Sequence, residues 1–179
     1  MVALILADGF EEVEAITPID VLRRGGVEVV TYSITDDLCV CGAHNIMVDA
    51  DDLIANIEYE KVDAVILPGG LRGTENMENC KDVQFLLEHM HENNKLMCAI
   101  CAAPRIFGNM GYLDGRKATC YPEFDYCLNG AYTGERVTVE RQLITSKGMG
   151  TAMDFALAIL EYLKDSQTAE KIAKASMYR

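Results

Sequence analysis

The sequence predicts an α/β domain built on a mainly parallel β-sheet. Two observations carry this. Short apolar runs at residues 2–7, 62–67 and 96–100 read as strands buried on both faces, and each is followed by a segment of helical length. The connections are short and hold no linker, repeat or low-complexity stretch, so residues 1–179 are expected to form a single domain.

In chain order, residues 2–7 make the first strand and Asp8-Gly9 breaks it. Residues 10–16 read as a helical segment. Thr17-Pro18-Ile19-Asp20 then reads as a fresh start, with Thr17 as N-cap and Pro18 where its missing N–H costs nothing, and Gly25-Gly26 closes the helix. A strand at 27–32 completes a βαβ unit. Cys39-Val40-Cys41 begins a hairpin or an excursion, with a short strand at 46–48 and a short helix from Asp51 or Asp52 to Asn56. Pro68-Gly69-Gly70 turns the chain after the strand at 62–67, and Asn79 caps a helix over 81–93 whose Val83, Leu86, Leu87 and Met90 share a face. Beyond the strand at 96–100, a helix runs to Asn109, a strand covers 117–120, and 123–134 is loop with a turn at Asn129-Gly130. Strands at 137–139 and 142–145 pair around Glu140-Arg141. A helix over 151–163 aligns Ala152, Phe155, Ile159 and Tyr162, and Ser166 caps a last helix to Ala175.

The chemistry gathers at Lys95-Leu-Met-Cys-Ala-Ile-Cys-Ala-Ala-Pro-Arg105, where a strand runs straight into a helix. Cys101 falls at the corner, a nucleophile elbow with cysteine in place of serine. The helix N-terminus there favours a thiolate by lowering the thiol pKa; the alternative is a buried packing cysteine. Sites in such sheets lie beyond the carboxyl ends of the strands, which points to residues 8–14, 68–72 and 101–104. Glu11 and Glu14 share a side at helical spacing while Glu12 points away. Either of the two is a candidate acid/base, with its pKa raised by a neighbouring thiolate. Gly69 and Gly70 allow close backbone approach and, with the Ala102 N–H, offer an oxyanion hole or simply end a strand. Tyr121 is a candidate pocket wall. Arg24 is a candidate anion-binding charge or a solvated helix end. His44 is the one histidine placed to approach the site, so a Cys-His couple has no support.

Composition narrows the partners. A net charge of −12 disfavours nucleic acid and anionic membranes. No apolar run reaches the length of a membrane span. The first residues read as a strand instead of a secretory signal, so the seven cysteines are expected as thiols in a reducing cytoplasm. Cys98 and Cys101 form a C-x-x-C, but Cys98 lies inside the strand and no second pair has zinc spacing. Neither metal nor cofactor is therefore expected.

Five stretches then carry a resemblance: Leu6-Ala-Asp-Gly-Phe-Glu-Glu-Val-Glu14, Pro18-Ile-Asp-Val-Leu-Arg-Arg-Gly-Gly26, Leu67-Pro-Gly-Gly70, Ala99-Ile-Cys-Ala-Ala-Pro104 and Thr145-Ser-Lys-Gly-Met-Gly-Thr151. Along its whole length the chain resembles the ThiJ/PfpI (DJ-1) superfamily, in its DJ-1-like branch. The resemblance implies a flavodoxin-like three-layer sandwich of the class I glutamine amidotransferase type, usually a homodimer. It implies Cys101 as the reactive cysteine, Glu14 as the carboxyl that contacts it, Gly70 and Ala102 as backbone donors, and Arg24 near the pocket and dimer interface. The implied activities are glutathione-independent glyoxalase or deglycase chemistry on small aldehydes such as methylglyoxal or on glycated substrates. The alternatives are an oxidative-stress sensor in which Cys101 becomes a sulfinic acid, or a chaperone-like protein. Three positions depart from the family pattern. Tyr121 replaces a histidine common before Pro122, Ala102 stands where proteolytic relatives have histidine, and Met149 replaces a common proline. Protease activity is accordingly not expected.

Overall fold

The computed structural model describes residues 1–129 and 132–179. Strand β1 (Val2–Leu6) sends Val2, Leu4 and Leu6 into one hydrophobic cluster and Ala3 and Ile5 into another. Burial on both faces is why it reads as an unbroken apolar run. The same holds for β6 (Ala64–Leu67) and β7 (Leu96–Ile100), every residue of which is buried. With β2 (Val29–Ser33), β5 (Asp52–Leu53), β8 (Val137–Glu140) and β9 (Leu143–Ser146) they form a seven-stranded sheet in the order β5-β2-β1-β6-β7-β9-β8. Adjacent strands run parallel except β8 and β9, the antiparallel pair expected around Glu140-Arg141. β3 (Cys39–Cys41) and β4 (Met47–Asp49) form a separate antiparallel hairpin, which decides between the two readings of that stretch.

Helices α1 (Glu12–Arg24), α5 (Ala152–Leu163) and α6 (Ser166–Ala175) bury their apolar stripes on one face of the sheet. Helices α2 (Leu71–Asn79), α3 (Lys81–Glu92) and α4 (Pro104–Asn109) cover the other. This is the flavodoxin-like three-layer arrangement. Among the described residues no helix is long and apolar enough to cross a membrane.

Several local expectations are corrected. α1 is one continuous helix with Pro18 inside it, so Thr17 caps nothing. The missing Pro18 N–H frees only the Glu14 carbonyl, and packing of Ala15, Ile19 and Leu22 outweighs that cost. Its end follows expectation. Gly26 takes φ 73°, its N–H donates to Arg23 O at 3.1 Å, and the Val27 N–H donates to Leu22 O at 3.0 Å, a Schellman ending. α2 was not legible because it is polar and buries only Gly73, Thr74 and Met77. Asn79 is therefore the last residue of α2, and Cys80 is the N-cap of α3. The short helix expected to end at Asn56 is a 3-10 turn, Ile54–Asn56, after β5. The strand expected at 117–120 reduces to a single bridge between Ala118 and Tyr132, and a 3-10 helix (Pro122–Leu128) follows. The turn expected at Asn129-Gly130 reaches outside the described residues. Tyr162 leaves the buried stripe of α5 and is exposed, while Leu160 in the same turn stays in the core. Asp165, not Ser166, caps α6, its carboxylate accepting the Thr168 N–H at 2.7 Å.

Candidate active site

Parallel pairing of β1, β6, β7 and β9 brings the loops after their carboxyl ends to one edge of the sheet. Cys101 follows β7 with φ 65°, a left-handed conformation that a non-glycine residue holds only when its surroundings impose it. Two backbone hydrogen bonds impose it here: the Cys101 N–H donates to Ser146 O at 2.9 Å, and the Tyr121 N–H donates to Cys101 O at 2.8 Å. The chain then turns through Ala102 and Ala103, and Pro104 begins α4. The thiol is left partly exposed, with the N–H groups of Ala102 and Gly70 bearing on its sulfur.

Glu14, in the first turn of α1, is 1% exposed. Its Oε2 accepts the Gly69 N–H at 2.9 Å, and its Oε1 has no hydrogen-bond partner of good geometry among the described residues. Burial raises this carboxyl to about 7, with the Glu11 charge adding and hydrogen bonding from Cys101 and Gly69 opposing. Burial, then the Glu14 charge, pushes the Cys101 thiol up to about 12, and the Ala102 and Gly70 N–H groups offset only part of that. A thiol lowered by the helix end is thus not what this environment gives. Cys101 and Glu14 titrate as a pair that loses one proton near neutrality and holds the second far above it.

Both glycines of the 68–70 turn are sterically required. A Cβ on Gly69 would lie 2.6 Å from Cys101 Cβ and run into the Glu14 carboxyl. Gly70 has φ 87°, and a Cβ there would stand 2.7 Å from Glu11 N. The wall opposite is Gly148, which sequence reasoning did not single out; its place between the end of β9 and α5 was the available signal. The point a Gly148 Cβ would occupy is 3.8 Å from Cys101 Sγ, 3.8 Å from Glu14 Oε1 and 3.6 Å from Tyr121 Cδ2. A cavity of about 400 Å³ opens there, lined by Tyr121, Arg136, Lys147, Gly148 and Met149 among others.

Cys101, Glu14, Gly69, Gly70, Ala102 and Tyr121 are therefore brought together. Arg24 is not: it lies ten residues beyond Glu14 on α1, a rise of roughly 15 Å, and pairs with Asp20 at 2.7 Å in solvent. His44 is also elsewhere. Its Nδ1 lies 2.8 Å from Glu12 Oε2 and its backbone N–H donates to Glu12 Oε1 at 2.7 Å. Glu12 does turn away from Cys101, but into this contact, where it is 6% exposed. Glu11, Glu12 and His44 are the one group of three among the described residues with metal-ligand spacing. Glu12 already spends both oxygens on His44, and the α1 N-terminus disfavours a cation. Cys98 is wholly buried in the core, which separates it from Cys101 as a partner.

The model of the DJ-1/PfpI family matches residues 1–162. The chain belongs to that family. A curated relative, protein DJ-1 homolog B of Arabidopsis thaliana, is 38% identical over 171 residues, covering 94% of this chain and 39% of the plant protein. The chain thus spans less than half the length of that relative, as it does of the plant's DJ-1 homolog A, of which it covers 45%. A Caenorhabditis elegans family member, named glutathione-independent glyoxalase DJR-1.2, is 31% identical, with 92% of this chain and 88% of that protein aligned. Among solved structures, oxidized Toxoplasma gondii DJ-1 superposes with a TM-score of 0.95 at 35% identity, covering 98% of this chain and 97% of that one.

Proposed function

We propose that this chain is a glutathione-independent glyoxalase or deglycase that acts on small reactive aldehydes, methylglyoxal among them, or on glycated substrates. The observation that carries this is the Cys101–Glu14 pair: a thiol on a strained elbow, backed by two N–H groups, beside a buried carboxyl that holds a proton near neutrality. The worm relative's name supports the same chemistry. Above neutrality the thiol holds most of the pair's remaining proton; the nucleophile is the minor form in which that proton sits on Glu14 and the sulfur is a thiolate. It adds to the aldehyde carbon, the carbonyl electron pair moves to oxygen, and Glu14 gives that oxygen its proton. The Gly70 and Ala102 N–H groups, which bear on the sulfur in the free protein, help hold the developing charge. The Glu14 carboxylate then takes the hydrogen on the former aldehyde carbon as a proton, the electron pair forming an enediolate with the adjacent carbon; Glu14 returns the proton to that adjacent carbon as the hydroxyl proton passes from the first oxygen to the second. A thioester of a 2-hydroxy acid results, and water hydrolyses it, freeing the thiol. No external oxidant, reductant, metal or cofactor enters this balance.

We propose the protein as one domain over residues 1–179, working in the cytoplasm as a homodimer. Val13 and Ile16 on α1, and Ile46 and Met47 on the adjoining hairpin, are exposed apolar side chains that support a second copy as partner.

The test is conversion of methylglyoxal to lactate without glutathione. Many turnovers per Cys101, lost in Cys101→Ser and Glu14→Gln, support the proposal; no turnover above the Cys101→Ser background ends it. A second reading is a redox sensor in which Cys101 is oxidised to the sulfinic acid, held by the same N–H groups and the Glu14 proton. The oxidized state of the Toxoplasma relative favours it. Intact mass after mild peroxide separates the two: that reading needs two oxygens added at Cys101 alone.

A further inference from the structure

Lys147 ends the run that starts at β9, directly after Ser146, whose carbonyl accepts the Cys101 N–H. It lines the cavity of about 400 Å³ that opens beside Gly148, and a Cβ added to that glycine would stand 3.8 Å from both Cys101 Sγ and Glu14 Oε1. Two cations line this space. Arg136 is neutralised, with Nε 2.8 Å and its terminal nitrogen 2.6 Å from Asp154 Oδ2. Lys147 is partly buried, its ammonium reaches only Gly134 O at 3.3 Å, and among the described residues it has no carboxylate partner. In a chain with 28 acidic and 16 basic residues, a sheltered lysine without a carboxylate partner, on a cavity that shares Gly148 with the reacting pair, leaves donors for an incoming anion.

We infer that Lys147 anchors a carboxylate on the reacting molecule, so that the preferred substrates are aldehydes and 2-oxoaldehydes carrying a carboxylate at the far end. One uncompensated cation next to a pair that itself carries a negative charge suits a monoanion better than a dianionic phosphate. The inference rests on Cys101 as the nucleophile. The covalent step is the one already given: Sγ bonds to the aldehyde carbon, the oxygen takes the Glu14 proton, and the carboxylate stays unreacted on Lys147. Lys147 is a specificity residue and moves no proton.

Two assays test it on the full chain. In the first, turnover of 4,5-dioxopentanoate to 2-hydroxyglutarate is compared with turnover of its methyl ester. The acid is favoured in kcat/KM by about tenfold, chiefly through KM; Lys147→Met brings the ratio to about one and Lys147→Arg restores it. In the second, Cys101 is alkylated by iodoacetate and by iodoacetamide, the thiolate displacing iodide in each case. Lys147→Met lowers the iodoacetate-to-iodoacetamide rate ratio several-fold, and Lys147→Arg does not. Loss of folding in Lys147→Met is recognised by near-UV circular dichroism, and Lys147→Gln then takes its place. A rate ratio unmoved by removal of the charge, or an acid-to-ester ratio of one in the unsubstituted protein that turns over both, overturns the inference. If neither dicarbonyl turns over while the alkylation ratio still depends on Lys147, the glyoxalase reading fails and the carboxylate anchor stands.

Discussion

Glu14 and Cys101 stand 87 residues apart in the chain and face the same small space over Gly148, where an added Cβ would be 3.8 Å from both Glu14 Oε1 and Cys101 Sγ. Because the pair loses one proton near 7 and keeps the next to about 12, the reactivity of Cys101 reports on both groups. The alkylation rate of Cys101 by iodoacetamide is expected to rise through an inflection near pH 7, and Glu14→Gln is expected to remove that inflection. A rate that rises only above pH 10 in the unsubstituted protein would show an isolated buried thiol and rule out the shared proton.

The same carboxyl makes stability depend on pH. Its folded pKa of about 7 exceeds the ordinary 4.5, so between these values the folded state keeps a proton that the unfolded state has released. Stability is therefore full below about 4.5, falls as pH rises toward 7 and levels off above it. The loss is on the order of 3 kcal/mol at most. Urea midpoints measured from pH 4.5 to 8 should fall more steeply for the unsubstituted protein than for Glu14→Gln, which lacks the titrating group. Parallel curves would refute the assignment.

Gly148 and Gly69 should respond differently to alanine. A Cβ on Gly148 meets its neighbours at 3.6 Å or more, and φ of 161° is extended backbone, so Gly148→Ala should fold with unchanged stability. It fills the approach to Sγ, and alkylation of Cys101 should slow by about tenfold or more. Gly69→Ala drives a Cβ into the Cys101 Cβ and the Glu14 carboxyl, and should cost about 1–3 kcal/mol. Urea melts and alkylation rates on both variants check the contrast.

Arg105 joins α4 to α2 through Glu78 at 2.9 Å and lies 5.5 Å from the centroid of the Phe124 ring in the segment after Tyr121. Arg105 is 11% exposed and Glu78 27%. Arg105→Met keeps the stem and leaves the Glu78 carboxylate with the Asn109 amide as its one remaining side-chain donor among the described residues, and should cost about 1–2 kcal/mol after allowance for the exposed side of the pair. Urea melts of Arg105→Met, Glu78→Gln and the double variant check this: two single effects that simply add in the double variant would show that the ion pair itself contributes nothing.

The sequence by itself determined the layered architecture and the place of Cys101 at a strand-to-helix corner. β1, β6 and β7 are apolar at every position because both faces are covered, and that is a local property of the chain. The strand-to-helix corner at Cys101 is legible for the same reason: five apolar residues meet small residues and a proline. What failed was set by distant partners. α2 is polar and helical only because Gly70 delivers it under the 8–10 loop, where Gly73 packs on Phe10. Pro18 reads as a helix start, yet packing against α5 carries α1 through it. Residue spacing left open which carboxyl meets the thiol; the family resemblance pointed to Glu14, and the tertiary structure supplies the physical reason. Helical spacing leaves Glu11 and Glu14 equivalent, and the parallel register of β1, β6 and β7 is what places the Gly69 N–H at Glu14. It likewise decided the proton. A helix end near a thiol favours the anion, but enclosing a carboxyl beside it in low dielectric reverses that preference and ties the two titrations together.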